Sequence, residues 1–292
     1  MATDLAGLTY LITGANTGIG ETAAYQLAAR GATLLLACRS EAKTAPVLAH
    51  IASRYPMAKA SFVALDLSRL ASVRACAADL VQRDVRFDGL ILNAGVGGQR
   101  GLTEDGFELH FGTNHLGHYL LARLLIDQLA QAVAPRIVIV ASNSHKQAKA
   151  LDFGAVQQLT PTFSGMREYE VSKLCNVLFM RELDRRLAQR TPRIHTYALN
   201  PGRVATDVWR RIPAPFRWAF KATMITAELG GSYIVKCATG PTFAAQTGRY
   251  YSRGNEHAPS ALALDDQLAA ELWQRSAAWV GLPEQGVNAQ GR

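Results

Sequence analysis

The segment LTYLITGANTGIG, residues 8–20 of this chain of 292 residues, joins a short apolar run to closely spaced glycines. Its apolar run LTYLI predicts a buried strand, and GETAAYQLAARG, which follows the glycines, predicts a helix that ends at Gly31. Glycine lets the backbone turn tightly and lets a pyrophosphate approach the helix start, where free N–H groups favour negative charge. Because the glycines lie between a strand and a helix, they predict a dinucleotide-binding turn. The turn residues expected to bind the cofactor are Gly14, Asn16, Thr17, Gly18, Ile19 and Gly20.

Strand-length apolar runs alternate with helix-length amphipathic stretches along the rest of the chain. The runs are TLLLAC, ASFVAL, GLILN, RIVIVAS and IHTYALN. Apolar runs without polar alternation are typical of parallel strands covered on both faces. We therefore expect an α/β fold of the Rossmann type, a doubly wound parallel β-sheet flanked by helices on both faces, in a single domain spanning 1–292. The proline-rich RIPAPFRW, residues 211–218, predicts a small substrate loop or lid at about 207–226.

The composition limits the other classes of function. The chain carries 31 Lys and Arg against 23 Asp and Glu, a formal net charge of +8. These basic residues are scattered rather than gathered with aromatic residues, which does not favour nucleic-acid binding, and an anionic cofactor accounts for part of the excess. The four cysteines stand far apart and form no CxxC, so neither a metal site nor a disulfide framework is predicted. No segment reaches the roughly 18 apolar residues of a bilayer span, so a cytoplasmic protein is expected.

Three further strand ends predict cofactor contacts, because ligands bind at the carboxyl edge of an open α/β sheet. Arg39 ends the second predicted strand, where an NAD enzyme usually has an acidic residue that binds the ribose hydroxyls. A guanidinium there can pair with the 2′-phosphate, so NADP(H) is the expected cofactor. Past the third and fourth strands, the predicted cofactor-binding residues are Asp66, Leu67, Asn93, Ala94 and Gly95. Asp66 suits the adenine amino group, although it also suits a helix cap.

A tyrosine and a lysine lie four residues apart in YEVSK, at the start of a predicted helix. Tyr169 alone is a weak acid at neutral pH, since the reference pKa of tyrosine is about 10, but the ammonium of Lys173 favours its phenolate. Ser142 ends the fifth predicted strand, where a hydroxyl can hold a substrate oxygen as negative charge develops. Asn114 begins the preceding helix and can hold a water behind Lys173. Together these residues predict an acid/base centre for hydride transfer to or from a carbonyl carbon.

The motifs TGANTGIG, LACR, LDLS, LNAG, TNHLGH, YEVSK and NPGRVATDV resemble those of the short-chain dehydrogenase/reductase family. The stretches TNHLGHYLLARLL, SKLCNVLF, RELDRRL and TGRYYS are most similar to its retinol-dehydrogenase-like branch. The resemblance implies a tetrad in which Tyr169 is the general acid/base, Ser142 polarises the carbonyl, Lys173 binds the nicotinamide ribose and lowers the tyrosine pKa, and Asn114 supports a relay water. It also implies that the nicotinamide carboxamide is held by Pro201, Gly202, Val204 and Thr206.

The substrate is only faintly indicated. Trp209 and Phe216 lie in the predicted lid and, with Ser142 and Tyr169, are the expected substrate residues. Apolar side chains beside a nicotinamide predict a hydrophobic carbonyl or alcohol substrate. Neighbouring basic residues also suit an acidic group or an anionic membrane surface. Three hypotheses stay open here: a carbonyl reductase or alcohol dehydrogenase, a protochlorophyllide-reductase-like reduction of a C=C bond, and a non-catalytic NADP-binding module. Monomer and homodimer stay open as well.

Overall fold

A single sheet forms the centre of the computed structural model, which describes residues 4–202 and 224–284. Within these ranges the sheet has eight strands. They are β1 (Thr9–Thr13), β2 (Thr33–Cys38), β3 (Lys59–Ala64), β4 (Gly89–Leu92), β5 (Arg136–Val140), β6 (His195–Asn200), β7 (Arg249–Ser252) and β8 (Asn255–Glu256). The first seven pair in parallel, and β8 pairs antiparallel with β7.

Seven α-helices of the described residues flank the sheet. They are α1 (Gly18–Ala28), α2 (Glu41–Arg54), α3 (Leu70–Gln82), α4 (Gly117–Leu129), α5 (Met166–Leu187), α6 (Ala227–Thr239) and α7 (Asp266–Trp279). A π-helical segment, Phe111–Leu116, leads directly into α4. None of the described helices combines the length and the apolar composition that a bilayer span requires.

The strand order is β3-β2-β1-β4-β5-β6-β7-β8. The chain therefore moves outward from β1 to β3, then returns to place β4 on the other side of β1. In parallel α/β sheets this reversal opens a crevice at the carboxyl ends of the two central strands. The ends of β1 and β4, with the glycine-rich turn between β1 and α1, lie at that crevice.

Two apolar cores lie on opposite faces of the sheet, because alternate residues of each strand point to opposite sides. In β1, fully buried Leu11 belongs to the core formed with α3, α4, α5 and α7, and fully buried Ile12 belongs to the core formed with α1, α2 and α6. Trp273 of α7 is among the largest fully buried side chains of the first core. Burial on both faces explains why the strands are continuous apolar runs.

The predicted α/β doubly wound sheet is confirmed, and the stretch TGRYYS contains the strand β7. The short strand β8 was not predicted, because its two exposed residues carry no apolar pattern. The predicted lid, about 207–226, falls mostly on residues 203–223, which lie outside the described part of the chain.

Candidate active site

A cavity of about 1230 Å³ opens at the crevice between the carboxyl ends of the central strands. It is lined by most of the residues that the sequence predicted for the site: Gly14, Asn16, Thr17, Gly18, Ile19, Arg39, Asp66, Leu67, Asn93, Ala94, Gly95, Ser142, Tyr169, Lys173, Pro201 and Gly202. Gly20 and Asn114 do not line it but lie directly behind residues that do. Val204, Thr206, Trp209 and Phe216 lie outside the described residues.

The glycine-rich turn is shaped so that only glycine fits at two of its positions. Gly14 has a φ of +67°, and a Cβ there would come within 2.9 Å of Ala94. A Cβ on Gly20 would lie 2.4 Å from both the carbonyl oxygen of Gly14 and the side-chain nitrogen of Asn93. The turn therefore folds tightly against the start of α1, leaving the space in front of the helix for an anion. This geometry fits the pyrophosphate of a dinucleotide.

The turn is fastened to the end of β4 by a short hydrogen-bond network. Thr13 Oγ1 accepts the backbone N–H groups of Asn93 and Ala94, at 2.9 and 3.0 Å. Asn93 Nδ2 in return donates to the carbonyl oxygens of Thr13 and Gly14, at 2.9 and 3.2 Å. The predicted site residue Asn93 thus sets the width of the crevice by joining its two walls.

Basic residues gather at the far end of the cavity, beyond β2. Arg39 is exposed and lines the cavity, as predicted, and so does exposed Lys43 in the first turn of α2. Sequence reasoning missed Lys43, because it lies in the next element rather than in the glycine-rich turn. Its spacing of four residues from Arg39 was the available signal. Ser40, between them, caps α2 by accepting the N–H of Lys43 at 3.4 Å.

Asp66 also lines this end of the cavity, and one oxygen of its carboxylate accepts hydrogen bonds from its own loop. Its Oδ1 accepts from the N–H and the hydroxyl of Ser68, at 3.0 and 2.6 Å. Both expected roles are therefore compatible with the geometry: the carboxylate orders the turn before α3 and still faces the cavity.

Ser142 and Tyr169 meet at the opposite end of the cavity. Ser142 lies two residues past β5 and accepts the N–H of Ser144 at 3.1 Å. Tyr169 lies in the first turns of α5 and is half-buried. Burial raises the pKa of its phenol, and a hydrogen bond with the Ser142 side chain lowers it. The lowering of the tyrosine pKa by Lys173, expected from the sequence, stays a prediction.

Lys173 lies one helical turn beyond Tyr169, with its side chain almost wholly buried. Its ammonium donates to the carbonyl oxygen of Val140 at 2.9 Å and is 5.6 Å from the centroid of the Tyr169 ring. Burial lowers the pKa of this lysine to about 8, because removal from water disfavours the charged form. The amine thus lies between the end of β5, which forms the floor of the cavity, and the Tyr169 ring.

Asn114 lies in the π-helical segment before α4 and braces the wall rather than facing the cavity. Its Oδ1 accepts the N–H of Val96 at 2.8 Å. Its Nδ2 donates to the carbonyl oxygen of Val96 and to the hydroxyl of Ser172, at 3.0 and 2.9 Å. The amide therefore joins the segment after β4 to α5, next to Lys173. The relay water expected from the sequence stays a prediction.

His118, which sequence reasoning missed, connects the glycine-rich turn to the catalytic side. Its Nε2 is 2.9 Å from Thr13 Oγ1, and its Nδ1 is 3.0 Å from the carbonyl oxygen of Asn114. A carbonyl can only accept, so Nδ1 carries the proton and Nε2 accepts from the threonine hydroxyl. The imidazole is fully buried, and burial lowers its pKa to about 3. The folded protein holds it neutral.

This neutral histidine predicts a loss of stability in acid. The unfolded chain protonates His118 near pH 6.5, whereas the folded chain does so only near pH 3. Its contribution is therefore complete above pH 6.5 and falls as the pH drops, by about 1.4 kcal/mol per pH unit. We expect the free energy of unfolding, measured in urea from pH 6.5 to 4, to fall less steeply with decreasing pH in His118→Asn than in the wild type. The difference should be about 1.4 kcal/mol per pH unit. The exposed His257→Asn serves as control, and equal slopes for all three proteins would contradict the assignment.

Glu108 and His110 form a buried pair behind Tyr169. Glu108 Oε1 is 2.8 Å from His110 Nδ1 and accepts the hydroxyl of Thr160 at 2.5 Å. These bonds lower the pKa of Glu108 against the opposing effect of its burial. The His110 ring stands edge-on to Tyr169, with 6.3 Å between the centroids. Sequence reasoning did not predict this pair, because no local pattern indicates that Glu108 and His110 are buried.

Comparisons with known proteins agree with this fold. A family model described as short chain dehydrogenase matches residues 9–215. Retinol dehydrogenase 13 of Homo sapiens is 35% identical over 97% of this chain and 88% of its own length. The crystal structure of a putative uncharacterized protein from Mycobacterium Paratuberculosis has a TM-score of 0.76 at 29% identity, covering 97% of this chain and 98% of that one.

A 3-ketoacyl-(acyl-carrier-protein) reductase from Brucella melitensis, solved with NADH, has a TM-score of 0.65 at 25% identity, covering 86% of this chain and all of that one. The fold and the cavity thus define a dinucleotide-dependent oxidoreductase. This chain belongs to the short-chain dehydrogenase/reductase family, with similarity to its retinol dehydrogenases. Members of this family use NAD(H) or NADP(H).

Proposed function

We propose that this chain is an NADP(H)-dependent oxidoreductase that reduces the aldehyde or ketone of a hydrophobic substrate, or oxidises the corresponding alcohol. One observation carries the proposal. Ser142, Tyr169 and Lys173, which come from two separate segments, line the same cavity as the glycine-rich turn. A binding module without turnover would not require a phenol, an amine and a hydroxyl at the end of the cavity remote from the basic residues.

The roles of these side chains follow from their positions. Bound NADPH supplies the hydride. The hydroxyls of Ser142 and Tyr169 donate to the substrate oxygen, which stabilises the negative charge that develops there. Tyr169 then gives its proton to that oxygen, and the nearby ammonium of Lys173 stabilises the phenolate that remains. The bond between Ser142 and Tyr169 favours a carbonyl over a C=C bond, because both hydroxyls then have an oxygen to bind.

The protonation state of the phenol determines which direction is easier. Burial raises the pKa of Tyr169, so the residue is protonated at neutral pH and is ready to act as the acid in reduction. Oxidation of an alcohol needs the phenolate, which becomes more populated as the pH rises. We therefore infer that reduction is favoured at neutral pH and oxidation at alkaline pH.

The choice of NADP(H) over NAD(H) is supported by two cations at the far end of the cavity. Arg39 and Lys43 both line it, and neither forms an ion pair with a carboxylate of residues 4–202 or 224–284. A guanidinium and an ammonium four residues apart suit a phosphate dianion. Asp66, on the adjacent loop, suits the adenine amino group.

Arg39→Asp should therefore shift the cofactor preference. Each lost charge-assisted bond is worth about 1.5–3 kcal/mol, so the ratio of kcat/KM for NADPH over NADH should fall by about 10–100-fold. Lys43→Glu should change the ratio in the same direction. Arg54→Asp is the control, since this exposed arginine ends α2 and does not line the cavity. Equal loss for both cofactors would remove Arg39 from the proposed phosphate site.

A hydrophobic substrate is supported by apolar side chains at the catalytic end of the cavity, namely Val96, Met166 and Met224. We propose that Trp209 and Phe216, of the segment at about 207–226, take part in binding this substrate; both residues lie outside the described part of the chain. Pro201 and Gly202, and beyond the described residues Val204 and Thr206, are proposed to hold the nicotinamide. The four cysteines are buried and form no disulfide, which supports the proposal of a cytoplasmic enzyme. The proposal also keeps a monomer or a homodimer and no nucleic-acid partner.

A further inference from the structure

The charged residues that line the cavity are distributed unequally. Arg39 and Lys43 lie beyond β2, beside the proposed phosphate site. At the catalytic end, the charged lining residues of the described chain are Lys173 and Glu170. Lys173 lies at the floor, where its amine is already bonded to the carbonyl oxygen of Val140. Glu170 is the acidic group that remains on the wall of that end.

The position of Glu170 on α5 directs it into the cavity. Met166, Tyr169, Glu170 and Lys173 follow the spacing of one helix face, and all four line the cavity. Glu170 thus lies immediately beside the proposed acid/base, one turn outward from Lys173. This placement puts its carboxylate in the wall of the substrate half.

The bonding of the Glu170 carboxylate differs from that of the nearby Glu168 carboxylate. Its side chain is half-buried and forms no hydrogen bond or ion pair with another residue within 4–202 and 224–284. Glu168, two positions earlier, has a carboxylate that accepts the hydroxyl of Thr162, and it does not line the cavity. Partial burial raises the pKa of Glu170, the like charge of Glu168 raises it further, and the nearby charge of Arg167 opposes both effects without forming a bond to the carboxylate.

We propose that Glu170 determines substrate specificity by charge, so that the enzyme accepts uncharged and cationic carbonyl compounds and discriminates against carboxylates. The inference rests on the proposed function. A substrate carboxylate at this end would face a like charge in a partly dehydrated space, where Coulomb interactions are stronger than in bulk water. A positive group on the substrate would instead supply the partner that Glu170 lacks. An uncharged apolar substrate meets Met166 and Met224 and carries no penalty.

The test uses three benzaldehydes that differ only in their para substituent: 4-carboxybenzaldehyde, methyl 4-formylbenzoate and 4-formyl-N,N,N-trimethylanilinium. kcat/KM is measured with NADPH for the wild type and for Glu170→Gln, which keeps the shape and removes the charge. The intrinsic reactivities of the aldehydes cancel when the ratio of two substrates is compared between two proteins. The anion-to-ester ratio should rise about 10-fold in Glu170→Gln, and the cation-to-ester ratio should fall by a similar factor.

Glu168→Gln is the matched control, because it removes a carboxylate of the same helix that acts on Glu170 through space but does not line the cavity. Both ratios should stay within about twofold of the wild type. Glu170→Ala, which removes the charge without an amide, should change the ratios in the same direction as Glu170→Gln. Unchanged ratios in both Glu170 variants, with active enzyme, would overturn the role of Glu170 alone. If the wild type binds NADPH but reduces none of the three aldehydes, the proposed function itself fails, and this inference fails with it.

Discussion

Tyr169→Phe is expected to lower kcat for carbonyl reduction by about 10²–10⁴-fold, the usual contribution of a positioned general acid. The substitution removes the phenolic proton and the bond with Ser142 but keeps the ring in its place against His110. The dissociation constant for NADPH, measured by quenching of protein fluorescence, should change little, because the glycine-rich turn and the basic end of the cavity are untouched.

The matched control for this prediction is Tyr55→Phe. It removes a hydroxyl from a tyrosine just past α2 that does not line the cavity, and kcat should stay at the wild-type value. A Tyr169→Phe enzyme that keeps more than a tenth of the wild-type turnover would show that another group supplies the proton.

Lys173→Met should lower kcat/KM for NADPH by about a hundredfold or more, since it removes a preorganised charge beside the phenolate. The wild-type pH profile carries a further test. Because the pKa of Lys173 in the free enzyme is about 8, the amine is charged below that pH and neutral above it. kcat/KM for the cofactor, which reports groups of the free enzyme, should therefore decline above about pH 8.

In Lys173→Met this alkaline decline should vanish, leaving a low and flatter profile. Lys146→Met provides the control, as the exposed ammonium of Lys146 donates to the carbonyl oxygen of Ala258 and does not line the cavity. If the decline near pH 8 persists in Lys173→Met, the group that titrates is not this lysine.

The sequence predicted those parts of the site that depend on local pattern and on sheet topology. A strand followed by glycines and a helix defines the position of Gly14 and Gly18 whatever surrounds them. The carboxyl ends of parallel strands meet at one edge, so Ser142 and Asn93 could be placed there without coordinates. The helical spacing of Tyr169 and Lys173 placed both on one face.

The contacts that the sequence did not predict join residues far apart in the chain. Thr13 bonds to His118, and Asn114 bonds to Val96 and Ser172, so these roles exist only once the sheet and helices have packed. The same reason applies to the pKa of Tyr169. The spacing of Tyr169 and Lys173 indicated an ammonium nearby, but burial of both groups could not be derived from it.

The cavity holds a cation pair suited to phosphate at one end and a phenol, a hydroxyl and an amine at the other. The proposed function requires that hydride passes directly between a nicotinamide at this place and a substrate carbon. The most direct measurement uses NADPH deuterated at C4, prepared separately in the 4R and 4S forms, with methyl 4-formylbenzoate as the acceptor and mass spectrometry of the alcohol. The account predicts one deuterium on the carbinol carbon from one of the two forms and none from the other. Alcohol formed without deuterium from either form would contradict it.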